Sequence, residues 1–112
     1  MANTDNKVLP PSLGSDVKVA VTADIGSGLH LSDVDFCCTI YVEDNERLCK
    51  KYQKSELTFI DEDTYMALVK TGEIGKGQYF AKLEIDVPDE DVDGGIRKEV
   101  VRVPAKGVDV VS

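Results

Sequence analysis

The chain has 112 residues, with 13 basic and 21 acidic side chains, a formal net charge of −8, three cysteines, one histidine and no tryptophan. That length suits one domain, and a 42% hydrophobic content is enough for a real core. The acidic balance argues against direct nucleic-acid binding and against anionic membrane surfaces, because affinity for either comes mostly from Lys and Arg.

Residues 1–16 carry Pro10-Pro11 and no periodicity, and are expected to form an extended N-terminal arm. The start lacks the basic and apolar regions of a signal peptide, and no apolar run approaches the roughly 20 residues that span a bilayer, so a soluble protein made in the cytoplasm is expected. From residue 17 alternation takes over. Val17, Val19, Val21, Ala23 and Ile25 alternate with Lys18, Ala20, Thr22 and Asp24, which predicts a strand with one apolar face. A loop opened by Gly26-Ser27-Gly28 follows; it holds His30 between Leu29 and Leu31, where a lone histidine reads as structural.

The second clear strand has Val34, Phe36, Cys38, Ile40 and Val42 in phase. Cys38 is therefore expected as a small buried residue and Cys37 on the opposite face. With an odd cysteine count and no Cys-x-x-Cys, neither a disulfide framework nor a zinc site is expected. Shorter strands are predicted at residues 47–53, 57–61 and 65–70, separated by the polar clusters Glu43-Asp44-Asn45-Glu46 and Asp61-Glu62-Asp63. Residues 63–71 compete as a helix, but the stretch is short for one and runs into the glycines Gly72, Gly75 and Gly77, so strand is preferred. A long strand follows with Tyr79, Ala81, Leu83, Ile85 and Val87 in phase, then a last one at residues 97–103. Seven strands about ten residues apart predict an antiparallel sandwich or barrel over residues 17–103, with a C-terminal tail at 104–112.

The strongest chemical pattern is Asp89-Glu90-Asp91-Val92-Asp93-Gly94, which matches the opening of a calcium loop through Asp89, Asp91 and Asp93. Its twelfth position is Val100, where such a loop needs a bidentate Glu, so the run reads as an acidic connection and no cofactor is expected. No nucleophile, acid pair or phosphate loop stands out, and an enzyme is not expected. Residues 61–95 hold ten acidic and three basic side chains, whereas Arg47, Lys50, Lys51 and Lys54 form the one basic cluster. Arg47, Lys50 and Lys51 are candidate partner contacts, against the alternative of an edge strand guarded by lysines. The apolar residues of the termini, Val8, Leu9, Leu13, Val108, Val110 and Val111, are candidates to lie against a neighbouring subunit, by strand addition to an edge.

Residues 57–103 resemble small structural proteins of tailed bacteriophages of gut Bacteroides, including the crAss-like group. The resemblance rests on Phe59-Ile60-Asp61-Glu62-Asp63-Thr64-Tyr65-Met66-Ala67-Leu68-Val69, on Thr71-Gly72-Glu73-Ile74-Gly75-Lys76-Gly77-Gln78-Tyr79, and on Val87-Pro88-Asp89 continuing to Asp93-Gly94-Gly95-Ile96-Arg97-Lys98-Glu99-Val100. It implies an all-β, immunoglobulin-like sandwich of about seven strands in a virion, in many copies, contacting other virion proteins. Within that class an auxiliary or decoration protein of the capsid is expected first and a ring or adaptor protein of the neck or tail second. A calcium-dependent adhesion or carbohydrate-binding module is the alternative from another class, held back by the shortage of exposed aromatics for stacking on sugars.

Overall fold

The structure is a computed structural model that describes residues 12–26, 28–42 and 45–110; the side chains of 45–48 and 104–109 lie outside the description. Among the described residues seven strands follow one another: β1 (Asp16–Thr22), β2 (Asp35–Val42), β3 (Asn45–Gln53), β4 (Thr58–Asp61), β5 (Thr64–Lys70), β6 (Gly77–Pro88) and β7 (Ile96–Val110). One helical turn, α1 (Thr71–Ile74), joins β5 to β6, and 3₁₀ turns stand at Leu31–Asp33 and Lys54–Glu56. All seven expected strands are present, and residues 64–70 are a strand, as their brevity and the glycines beyond them required. The last strand is longer than its alternation suggested and runs through Pro104 to Val110. Proline at 104 is tolerated because β7 lies at the edge of its sheet, where one row of backbone groups needs no ladder partner.

The strands form two antiparallel sheets, one ordered β1-β5-β4 and the other β3-β2-β6-β7. In the lettering of immunoglobulin domains these are B-E-D and C′-C-F-G, so the connectivity is that of an immunoglobulin-like sandwich. Alternation built it directly. Val19 and Val21 of β1, Phe36, Cys38 and Ile40 of β2, Tyr65, Ala67 and Val69 of β5, and Tyr79 to Val87 at every second position of β6 meet between the sheets in one core. Phe36 and Tyr65 join the two layers edge to face, ring centroids 5.0 Å apart. Cys38 is wholly buried, and burial pushes its thiol pKa up to about 12, so it serves as a small core residue.

A second mark of the fold sits where α1 gives way to β6. The Tyr79 ring is fully buried, and its hydroxyl donates to the Gly75 carbonyl four residues upstream. This is a tyrosine corner at the E–F connection. Ala81, two residues on, stands where antibody domains carry the second cysteine of their inter-sheet disulfide, and the core is closed by packing alone. The chain enters β1 through a turn in which Ser15 N donates to Ser12 O at 3.0 Å. Buried Thr71 fixes that turn: its hydroxyl donates to Ser15 O at 2.7 Å and accepts from Gly14 N at 2.8 Å, while its own N–H also reaches Ser15 O. Residues 12–15, read from sequence as arm, are therefore tied to the body of the domain.

Candidate interaction surfaces

The strand registers place three connections at one end of the sandwich: residues 23–34 after β1, the β4–β5 turn at 62–63, and the acidic loop 89–95 after β6. The first two are locked together. Ala23 N donates to Asp63 O and Ser32 N to Glu62 O, each within 3.1 Å. His30 completes the lock, with Nδ1 3.0 Å from Asp63 Oδ1 and Nε2 3.3 Å from Glu62 Oε2. Only the imidazolium can donate from both ring nitrogens at once, so two carboxylate partners favour the charged form. The hydrogen bond to Asp63, with the negative charges of Glu62, Asp63 and Asp33 behind it, raises the His30 pKa above its ordinary 6.5. A cleft of about 250 Å³ opens beside the ring, walled by Ala23, Asp24, Leu29, His30 and Asp63.

A raised histidine pKa means the folded state holds its proton more tightly than the unfolded chain. The resulting stability is fully present below the unfolded pKa of about 6.5 and is lost as pH rises through the folded value. As the chain has one histidine, its imidazole proton resonance can be titrated without ambiguity. A midpoint above 6.5 is expected, with a larger amide-exchange protection factor at Ser32, relative to the unstructured rate at the same pH, on the acid side; a midpoint at or below 6.5 would contradict the lock.

The acidic loop folds on its own carboxylate. Asp89 Oδ1 accepts from Asp91 N at 2.9 Å, its Oδ2 faces Arg97 Nε at 3.1 Å, and its N–H reaches Gly95 O. The Asp91 N–H first, and the Arg97 guanidinium second, hold its carboxyl below the usual range. Arg97 also reaches Glu99, two residues along the same strand, at 3.2 Å. Among the described residues, no three His, Cys, Asp or Glu side chains converge to hold a metal ion. A cation at Asp89, Asp91 and Asp93 would have to take Asp89 from its loop and from Arg97.

The basic cluster of β3 is taken apart by the fold. Lys50 and Lys51 project to opposite sides; Lys50 pairs with Glu73 at 3.2 Å and Lys51 stands 4.0 Å from Glu84. Lys54 turns inward, donating to the carbonyls of Val34 at 2.7 Å, Ser32 at 3.0 Å and Leu31 at 3.4 Å. Its ammonium lies 5.7 Å from the centre of the Phe36 ring and 5.9 Å from that of Tyr65. It is a brace for the 3₁₀ turn at Leu31–Asp33. The Arg47 and Val108 side chains, and all of Val8, Leu9 and Val111, fall outside the described residues. Val110 is a core residue of its own domain and its backbone pairs with Gly77, which corrects its reading as a partner contact. Leu13 is 46% exposed and stays available.

The outer face of the three-stranded sheet was not singled out from sequence. Its register aligns Lys18 with Leu68, Ala20 with Met66 and Thr22 with Thr64, and sets Thr58 on the far side of Met66. The signal lay in the positions that should be polar: Ala20, Met66 and Leu68 break the polar half of the alternation, and only strand pairing shows that they are neighbours. Among the described residues no helix is long and apolar enough to cross a membrane. Compared with the profiles of known protein families, with curated proteins and with solved structures, the chain shows no match.

Proposed function

We propose that the chain is a non-enzymatic structural component of a tailed-phage virion, an auxiliary or decoration protein of the capsid that binds neighbouring subunits. The observation that carries this reading is how the surface is spent. Its charged and polar side chains close the domain's own loops and turns, as His30, Lys54 and Asp89 do, while a sheet face without ionisable groups at its centre is left open. That division suits a subunit whose work is contact between folded bodies. The resemblance of residues 57–103 to phage structural proteins supplies the setting, and the −8 charge suits the outside of a shell better than the side that faces packaged DNA.

A ring or adaptor protein of the neck or tail would use the same body in a closed cyclic array. The test is cryo-electron microscopy of purified particles of a phage that encodes the chain, with mass spectrometry of their proteins. Density for the seven-stranded body at many capsid positions is the expected result. Occupancy confined to a ring at one vertex would move the protein to the neck, and its absence from particles would end the virion reading. The calcium-dependent module gains less support, since the carboxylate it most needs, Asp89, is held by Asp91 N and Arg97.

A further inference from the structure

The two outer faces of the sandwich are finished differently. On the four-stranded sheet, charges of opposite sign sit across from each other, Lys98 meeting Asp86 at 2.5 Å and Lys51 standing 4.0 Å from Glu84, and the Arg102 guanidinium lies over an aromatic face, 5.7 Å from the centre of the Tyr41 ring. That face also exposes Val100 and Ile96, each 54%, but Val100 stands between the charged side chains Lys98 and Arg102 of its own strand. On the three-stranded sheet, the two rows Ala20-Met66-Thr58 and Thr22-Thr64 carry no ionisable group, and Leu68 stands in the next row beside Lys18. Leu68 is 56% exposed, and Ile60, at the bulge of β4, is 50% exposed. Beyond Lys18, charge collects at the ends. Lys70 stands at one end, where Asp16 approaches it at 3.9 Å, and Asp61 at the other.

We propose that this face binds the same face of a second copy of the chain, the copies being related by a twofold axis that lies in the interface and runs perpendicular to the strands. Charge selects both the partner and the axis. Two bodies of net charge −8 repel over most of their surfaces, and the rows Ala20-Met66-Thr58 and Thr22-Thr64 add no charge to that repulsion. An axis parallel to the strands would set lysines on lysines and carboxylates on carboxylates. The perpendicular axis reverses one copy end for end and keeps each strand over its own counterpart, which brings Lys70 of each within one strand spacing of Asp61 of the other, while Met66, Leu68 and Ala20 close the centre. Seven residues at about 3.3 Å and three strands about 4.8 Å apart give a face on the order of 300–400 Å². That is less than the roughly 800 Å² per partner of a stable interface. The contact is therefore weak between free copies and becomes strong when several such contacts act together in an assembly. It deepens the assembly reading by naming one partner and one face, and its test needs no particle.

Sedimentation equilibrium of the full chain, over a concentration series into the millimolar range, should show reversible dimers. Leu68→Glu places a charge at the centre of the face without touching the core and should leave a folded monomer, its fold checked by circular dichroism. Lys70→Glu alone and Asp61→Lys alone should each weaken association about tenfold, because each sets like charges together twice per dimer. An equimolar mixture of those two variants should recover association as one-to-one heterodimers, since both end contacts then join opposite charges. Because Asp61 also accepts from Asp63 N, Asp61→Asn, which keeps that acceptor and removes only the charge, is the second variant and should weaken association by a smaller factor. A wild-type chain that stays monomeric throughout, dimers that survive Leu68→Glu, or a mixture no tighter than its separate variants would each overturn the proposal. A chain that dimerises this way but is missing from particles would count against the virion reading alone.

Discussion

Gly77→Ala is expected to lower the stability of the fold by about 3 kcal/mol, one of the two largest effects foreseen for a single surface-sparing substitution. Two independent costs add at that position. The backbone φ is +127°, a region L side chains rarely adopt, and an added Cβ would stand 2.7 Å from Val42 Cγ1. Val42 ends β2 and is buried in the same core, so it has little room to withdraw. Urea unfolding should show the midpoint falling with an unchanged slope, and thermal unfolding a loss of roughly 10–20 °C. Gly72→Ala is the internal control: it lies in α1 with nothing within 4 Å of the added methyl, and should be neutral or slightly stabilising. Adding Val42→Ala to Gly77→Ala should cost less than the sum of the two changes, because it removes the clash but not the backbone strain. A Gly77→Ala protein within 1 kcal/mol of wild type, by the same measurement, would show that β2 and β6 are not held as closely as described.

Lys54→Met is expected to cost about 2 kcal/mol, since it keeps the apolar stem and deletes only the ammonium that holds three carbonyls. The carbonyls of Leu31, Ser32 and Val34 would then share water where they now share a cation, and the attraction to the Phe36 and Tyr65 rings would go with it. The damage should be local as well as global, with faster amide exchange in residues 31–34 than in β6. Lys50→Met, four residues away, removes a pair with Glu73 in which both side chains are more than 40% exposed, and should change stability by under about 1 kcal/mol. Equal effects of the two substitutions, measured by urea unfolding, would mean that Lys54 is only another surface lysine.

The contrast between Lys50 and Lys54 also marks how far the sequence could be read. Both belonged to one basic cluster because they are close in the chain, and charge counting cannot tell a cation bound to carbonyls from one bound to a carboxylate. The strands were legible for the opposite reason. A strand's two faces alternate within its own sequence, so Phe36, Cys38 and Ile40, or Tyr79, Ala81 and Leu83, announce a buried face without any knowledge of the partner. The end of β7 was not legible, because pairing with β6 leaves off at Pro104 and resumes only at Asp109 across a register shift that alternation does not encode.

What the sequence determined by itself was therefore local and periodic: seven strands, the core face of the three that alternate cleanly, the tyrosine at the head of β6, the burial of Cys38 and the acidic balance that disfavours phosphate. What the tertiary structure decided depends on residues brought together from distant parts of the chain. His30 meets Glu62 and Asp63 across more than thirty residues, Thr71 holds the turn before β1, and Ala20, Met66 and Leu68 become one face through the pairing of β1 with β5. Alternation encodes which way a side chain points, and only strand pairing and sheet packing decide which other side chains it meets there.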